Sequence, residues 1–261
     1  MLENKVAIVT GSATGIGAAV ALRLAESGSR VVINYTRSKK EAEETVELCR
    51  KTGAEALLVQ GDVASDEDCR RLVHEAGNAW GRVDILVNNA GTTKFVPQGD
   101  LDALDADDFL RVYRVNVVGP YQMIRACVPH MRAVGKGSVI NVSSVAAMTG
   151  TGSSVAYAAS KGALNTLTLS LARSLAPRIR VNAVCPGFVG TRWFRDEIGE
   201  ERFRAMVAEQ ENGMPLKRSG TAADIAVAVA FFAGEGSDHI TGETLMVDAG
   251  MHLGFAPLVA R

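Results

Sequence analysis

Short apolar runs rich in β-branched residues recur along this chain, separated by longer stretches whose apolar residues fall at helical spacing. The short runs are Lys5 to Thr10, Arg30 to Asn34, Ala56 to Gln60, Val83 to Val87, Ser138 to Ser143, Ile179 to Val184 and Thr244 to Val247. Their near-continuous hydrophobicity predicts strands buried on both faces, the pattern of a parallel sheet. Between them, Ile16, Val20 and Leu24 recur at i+4, and helices are predicted from Asp66 to Trp80, from about Asp105 to Arg132, from Tyr157 to Ala176 and from Ala222 to Ala233. Strand and helix alternate without a proline-rich linker or an internal repeat. The pattern therefore predicts one α/β domain over residues 1–261, a doubly wound and mostly parallel seven-stranded sheet with helices on both faces. One stretch departs from the alternation: about 192–211 is an amphipathic, aromatic-bearing insertion whose length and position predict a substrate lid. Its apolar residues Trp193, Phe194, Ile198, Phe203 and Met206 either cover a substrate or pack the insertion onto the domain.

In an open parallel sheet, ligands gather at the carboxyl ends of the strands, so the turns there carry the next information. Gly11-Ser12-Ala13-Thr14-Gly15-Ile16-Gly17 lies between the first strand and the first helix. Glycines let the backbone approach a ligand, and the free N–H groups of the helix N-terminus face an anion such as a diphosphate. A tight turn with incidental glycines is the alternative. After the second strand, an acidic residue would mark binding of an NAD ribose, but the position holds Tyr35, followed by Thr36-Arg37-Ser38-Lys39-Lys40. Basic side chains at a helix start favour a 2′-phosphate, hence NADP(H) over NAD(H). A Ser38–Glu41 capping box on a solvated face is the competing explanation. Gly61-Asp62-Val63 follows the third strand, where Asp62 accepts from an adenine amino group or caps the next helix. Asn88-Asn89-Ala90-Gly91 follows the fourth and offers amides to sugar hydroxyls.

Tyr157 and Lys161 stand four residues apart on one predicted helix, which puts both polar heads on one face. An ammonium near a phenol favours the phenolate and makes the tyrosine a general acid/base; a solvent-exposed pair is the bland alternative. The fifth strand delivers Ser143 and Ser144 to the same sheet edge. Asn116 precedes Pro120 by four, so its carbonyl loses the usual helical partner and is free to accept from water, or the proline only shapes a kink.

Composition narrows the classes. Charged residues make up 22% of the chain and the formal net charge is -1, with no basic cluster to hold nucleic acid. The cysteines Cys49, Cys69, Cys127 and Cys185 form no C-x-x-C pair, the four histidines show no ligand spacing, and no metal site is expected. The acidic run from Asp100 to Asp108 lacks the glycine and terminal glutamate of a calcium loop and reads as carboxylates at a helix N-terminus. With no apolar run of membrane length and no leader-like start, a cytoplasmic protein without membrane contact is expected.

Together, Thr10-Gly11-x-x-x-Gly15-x-Gly17, Asn88-Asn89-Ala90-Gly91, Asn116, Ser144, Tyr157-x-x-x-Lys161 and Pro186-Gly187 resemble the short-chain dehydrogenase/reductase family over nearly the whole chain. That resemblance implies a Rossmann-like domain, a homodimer or homotetramer, and Asn116, Ser144, Tyr157 and Lys161 as catalytic residues. Tyr157 would be the general acid in carbonyl reduction, Ser144 would bond the substrate oxygen, and Lys161 would tune the tyrosine and bind the nicotinamide ribose. Asn116 would hold a water in a proton relay. The cofactor set it implies is Gly11, Ser12, Thr14, Gly15, Ile16, Gly17, Tyr35, Thr36, Arg37, Asp62, Val63, Asn89, Ala90, Gly91, Pro186, Gly187, Val189 and Thr191, together with Tyr157 and Lys161.

Within the family the chain is most similar to 3-oxoacyl-acyl-carrier-protein reductases, which implies 3-oxoacyl thioester substrates and an acyl carrier protein partner. Arg173 corresponds to a carrier-docking arginine, whereas the other expected basic position is Gly135, with Lys136 beside it, and the chain runs on past Met251 to Arg261. Two other readings stand beside this one. The first is an NAD(H)-linked dehydrogenase of a small polyol, sugar or steroid-like alcohol; the second is a nucleotide-sensing protein without catalysis.

Overall fold

Seven strands, all parallel, form a single sheet in the order β3-β2-β1-β4-β5-β6-β7. They are β1 (Val6–Val9), β2 (Arg30–Tyr35), β3 (Ala56–Gln60), β4 (Ile85–Asn88), β5 (Gly137–Val142), β6 (Ile179–Pro186) and β7 (Thr244–Val247). The computed structural model of the chain describes residues 2–254; the end of the C-terminal extension, 255–261, lies outside the described residues. Because β1 pairs with β2 on one side and β4 on the other, the winding reverses between β1 and β4, and a crevice opens there at the carboxyl ends.

Each face of the sheet has its own core, as the strands' apolar runs require. On one face Val20, Leu24, Val46, Ile225 and Phe232 from α1 (Gly15–Glu26), α2 (Lys39–Lys51) and α10 (Ala222–Ala233) pack on β1 and β2. On the other, Leu72, Met123, Cys127 and Met131 from α3 (Asp66–Trp80) and α5 (Gly119–Val134) pack on the opposite side of β1 and β4. The four cysteines are buried free thiols, Cys49 in the first of these layers, Cys69 and Cys127 in the second and Cys185 in β6. No helix among the described residues is long and apolar enough to cross a membrane, and none of their His, Cys, Asp and Glu groups could hold a metal.

The helix predicted from Asp105 to Arg132 is divided. It comprises α4 (Ala106–Tyr113), a π turn at Arg114–Val118 and α5, with the Gly119 N–H bonded to the carbonyl of Arg114. Pro120 cannot donate to the carbonyl of Asn116, so widening the ladder just before it costs little. The acidic run does cap this helix: the Asp105 side chain accepts from the Asp108 N–H at 2.8 Å and Asp108 reaches back. By contrast, Ser38 and Glu41 form no capping box, because no side-chain bond caps α2 and Arg192 takes the Glu41 carboxylate at 2.9 Å. Asp62 does not cap α3 either. Ser65 does so, while Asp62 accepts from the Ala64 N–H within its own loop.

After β5 come the short α6 (Ala146–Thr149) and the long α7 (Val155–Leu175). The insertion between β6 and α10 folds as α8 (Arg192–Ile198) and α9 (Glu200–Gly213), neither of which contains a buried residue.

Candidate active site

One cleft of about 1520 Å³ runs along the carboxyl ends of the strands. Thr10, at the end of β1, fixes its floor: the Thr10 hydroxyl accepts from the N–H groups of Asn89 and Ala90 at 3.0 and 3.1 Å. The Asn89 amide in turn donates to the carbonyls of Thr10 and Gly11, both at 3.0 Å. Asn34 closes the other side, accepting from the Gly11 N–H at 3.0 Å and donating to the Gly61 carbonyl at 2.9 Å. These bonds tie the loops after β1, β2, β3 and β4 into one rigid surface.

The glycine loop sits against that surface with no space to spare. A Cβ at Gly17 would stand 2.4 Å from the Gly11 carbonyl and 2.5 Å from the Asn89 amide, so only glycine keeps this closeness. Thr14 takes the N-cap position of α1 with extended backbone and makes no capping bond, and the first turn carries no acid. An open helix N-terminus facing a cradle of this kind fits the diphosphate of a dinucleotide.

Of the cofactor residues expected from the sequence, Gly11, Thr14, Gly15, Ile16, Gly17, Thr36, Arg37, Asp62, Val63, Asn89, Ala90, Gly91, Pro186, Gly187, Val189 and Thr191 line this cleft, as do Ser144, Tyr157 and Lys161. Ser12 and Tyr35 lie behind it. The Ser12 hydroxyl is buried, donating to the Val9 carbonyl at 2.7 Å and accepting from the Asn34 N–H at 2.9 Å, and Tyr35 is buried in the core. Thr36 and Arg37 stay exposed at the cleft's β2 end.

At the other end, Ser154 caps α7 by accepting from the Tyr157 N–H at 3.2 Å, which places Tyr157 one turn into the helix; such a cap contributes about 1 kcal/mol. Lys161 is buried and donates from Nζ to the Val142 carbonyl at 2.8 Å, with Nζ 5.6 Å from the centre of the Tyr157 ring. Asn116 is fully buried in the π turn. Its side chain clasps Thr92, accepting from that N–H at 2.8 Å and donating to that carbonyl at 2.9 Å, and also donates to the Ser160 hydroxyl on α7 at 3.0 Å. A Cβ at Gly91 would lie 3.5 Å from the Asn116 Oδ1 and 3.8 Å from the Lys161 Nζ, so Gly91 occupies the gap between them.

Electrostatics here differ from the expectation that an ammonium would lower the phenol's pKa. Burial pushes Tyr157 up to about 12, a hydrogen bond from Ser144 pulling the other way, and burial brings Lys161 down to about 8. With the Lys161 Nζ bonded to a backbone carbonyl, desolvation dominates over attraction between the two groups. Tyr157 therefore stays a protonated phenol at neutral pH, the form that donates to a carbonyl oxygen.

Several wall residues carry no signal in a linear reading. Arg192, at the start of α8, spans 151 positions to pair with Glu41 of α2 at 2.9 Å. Phe95 comes from the loop after β4, and Gln210 from α9. The backbone of 189–191 brings α8 to the glycine loop, where a Gly15 Cβ would meet the Thr191 Cβ at 3.8 Å.

This arrangement, a dinucleotide cradle continuous with a Ser–Tyr–Lys set in which the serine and tyrosine are half-buried and the lysine is buried, defines a nicotinamide-linked oxidoreductase site. A family model described as Enoyl-(Acyl carrier protein) reductase matches residues 11–252. A protein of Streptomyces violaceoruber assigned as ketoacyl reductase 2 of the granaticin polyketide synthase is 42% identical, with 96% of this chain and 97% of that one covered. The 3-oxoacyl-acyl-carrier-protein reductase of Staphylococcus aureus (strain N315) is 37% identical over 97% of this chain and 100% of its own length. The 7alpha-hydroxysteroid dehydrogenase of Clostridium sardiniense is 38% identical over 97% and 95%. A solved structure from Burkholderia xenovorans, assigned as a short-chain dehydrogenase/reductase, superposes with a TM-score of 0.89 at 44% identity, covering 96% of this chain and 98% of that one. The chain belongs to the short-chain dehydrogenase/reductase family.

Proposed function

We propose that the chain is an NADP(H)-dependent reductase of ketones, with the reverse oxidation of secondary alcohols as its other direction. The observation that carries this reading is the half-buried Tyr157 standing beside Ser144 at the end of a cleft shaped for a dinucleotide, where desolvation favours its protonated form. The nicotinamide cofactor supplies the hydride when bound. Tyr157 donates the proton to the substrate oxygen, and the Ser144 hydroxyl bonds that oxygen as charge develops on it. Lys161 and Asn116, on either side of Gly91, lead from Tyr157 toward the route by which the proton is replaced. Gly11, Thr14 and Gly17 would hold the diphosphate, Asp62 and Val63 the adenine, and Thr36 and Arg37 the 2′-phosphate.

Arg37 supports the NADP(H) preference because it stands exposed on the wall with no carboxylate at the end of β2. Arg37→Glu is expected to depress NADPH use while leaving or improving NADH use; an unchanged ratio of the two kcat/KM values would remove the case for a 2′-phosphate. 3-Oxoacyl thioesters belong among the first substrates to test, given the names of the relatives. For an acyl carrier protein partner the support is Arg173, exposed in the last turn of α7. At the other position where a basic residue is expected, Gly135 has φ 94°, a conformation an arginine rarely adopts, and Lys136 faces Glu235 at 3.9 Å. A homodimer or homotetramer is part of the same reading, supported by Tyr121, Val155 and Leu169, apolar side chains left exposed on α5 and α7.

A further inference from the structure

The chain has only 14 aromatic residues, from its 8 Phe, 4 Tyr and 2 Trp, yet six of them form one unbroken series starting at the catalytic phenol. Tyr157 lies 6.5 Å from Trp193, and Trp193 lies 6.3 Å from Phe95. Phe95 lies 5.9 Å from Phe194, which is 5.1 Å from Phe188, and Phe188 is 6.5 Å from Phe203. Four separate segments converge to build the series beyond α7: the loop after β4, the turn after β6, α8 and α9. All the contacts are tilted or edge-on, with interplanar angles from 42° to 73°, so the series is a curved wall and not a parallel stack.

These rings are not core. Trp193 keeps 38% of its surface exposed, the other five aromatics are half-buried, and α8 and α9 bury no residue at all. If the rings served only to seat the lid, their apolar surface would be removed from water, whereas Phe95, Tyr157, Phe188, Trp193 and Phe194 line the cleft. A second observation marks the same wall. The side-chain oxygen of Gln210, a cleft-lining residue, finds no donor among the described residues, and a buried acceptor in that state calls for a partner such as a ligand hydroxyl or a water.

We infer that the substrate is a rigid, multi-ring ketone bearing a hydroxyl group, its ring faces against Phe95, Phe188, Trp193 and Phe194 and its hydroxyl donated to Gln210. This rests on the ketone-reductase reading above and specifies the substrate for the same site. A ring system matches this wall for two reasons. Aromatic side chains present flat, polarisable faces that prefer offset or edge contact with other rings. A rigid ligand also loses less conformational freedom on binding than an open chain of equal carbon count.

The test uses the full chain with NADPH and four probes: ethyl acetoacetate, 2-decanone, trans-1-decalone, and 1-tetralone with its hydroxylated derivatives. The bicyclic ketones are expected to exceed 2-decanone in kcat/KM by about tenfold or more, mainly through KM. Trp193→Leu and Phe95→Leu should each bring that ratio toward one. The best hydroxylated tetralone should exceed 1-tetralone in the parent chain but not in Gln210→Leu. Binding without turnover is read as quenching of Trp193 fluorescence by the tetralone in a Trp80→Phe background, Trp80 being the other tryptophan. If ethyl acetoacetate is reduced while 2-decanone matches the bicyclic ketones, the ring assignment is wrong and the reductase reading stands. No reduction of any probe with NADPH or NADH, together with no quenching, would overturn both.

Discussion

The two walls of the cleft are built on different principles. The sheet side is rigid: Thr10, Asn34 and Asn89 bond four loops together, Gly17 fits with no space for a methyl group, and Asn116 and Lys161 are buried with partners. The lid side is loose. Its two helices bury nothing, its aromatic rings are only half-buried, and the salt bridge that joins it to the sheet side is the exposed pair of Arg192 with Glu41. A fixed wall sets the chemistry, since hydride and proton must be placed to fractions of an ångström. In the reading proposed above, the adaptable wall would decide which carbonyl compound is admitted.

The contrast predicts effects of very different size. On the rigid wall, Gly17→Ala forces the Gly11 or Asn89 contacts apart, about 1–3 kcal/mol of strain. That should appear as a loss of cofactor affinity of up to about a hundredfold by calorimetric titration; normal affinity would show the wall to be softer than its contacts imply. A pH profile comes next. Lys161 has its pKa lowered by burial to about 8, so its charge is lost as pH rises through that value, whereas Tyr157, raised to about 12, remains protonated. Reductase kcat should therefore decline above about pH 8, and an alkaline limb placed only near 12 would assign the loss to Tyr157 instead. In linkage terms the unfolded lysine holds its proton to a higher pH than the folded one, so this group makes stability rise with pH between about 8 and its ordinary value. The loose wall gives the smallest effect. Glu41→Gln or Arg192→Ala should speed cofactor release in stopped-flow by less than about fivefold, as expected of an exposed pair. A larger change would mean that the lid is held to the floor by this one contact.

The same division governs what a linear reading can see. Strands, the glycine loop, Ser144, Tyr157 and Lys161 are legible because each depends on spacing within a few residues or on a strand's own hydrophobic run. The direction of the Tyr157 shift was not, since an ammonium one turn away is visible in sequence while the desolvation of both groups depends on the whole fold. Ser12 belongs to the glycine motif by position, yet its hydroxyl turns inward to bond Val9 and Asn34. Glu41 looks like half of a capping box until Arg192, 151 residues away, arrives to claim it. The aromatic stripe of the insertion left cover and packing both open, packing being the commoner use, and the contacts that join Phe95 and Phe188 to Trp193 and Phe194 leave no trace in its spacing.

Tyr157→Phe tests the central claim most directly, because it removes the proton donor and keeps the ring that packs against Trp193. With any ketone the parent chain reduces, the variant should keep its thermal midpoint and lose about 10²–10⁴-fold in kcat. Retention of more than a tenth of the parent rate would contradict Tyr157 as the proton donor.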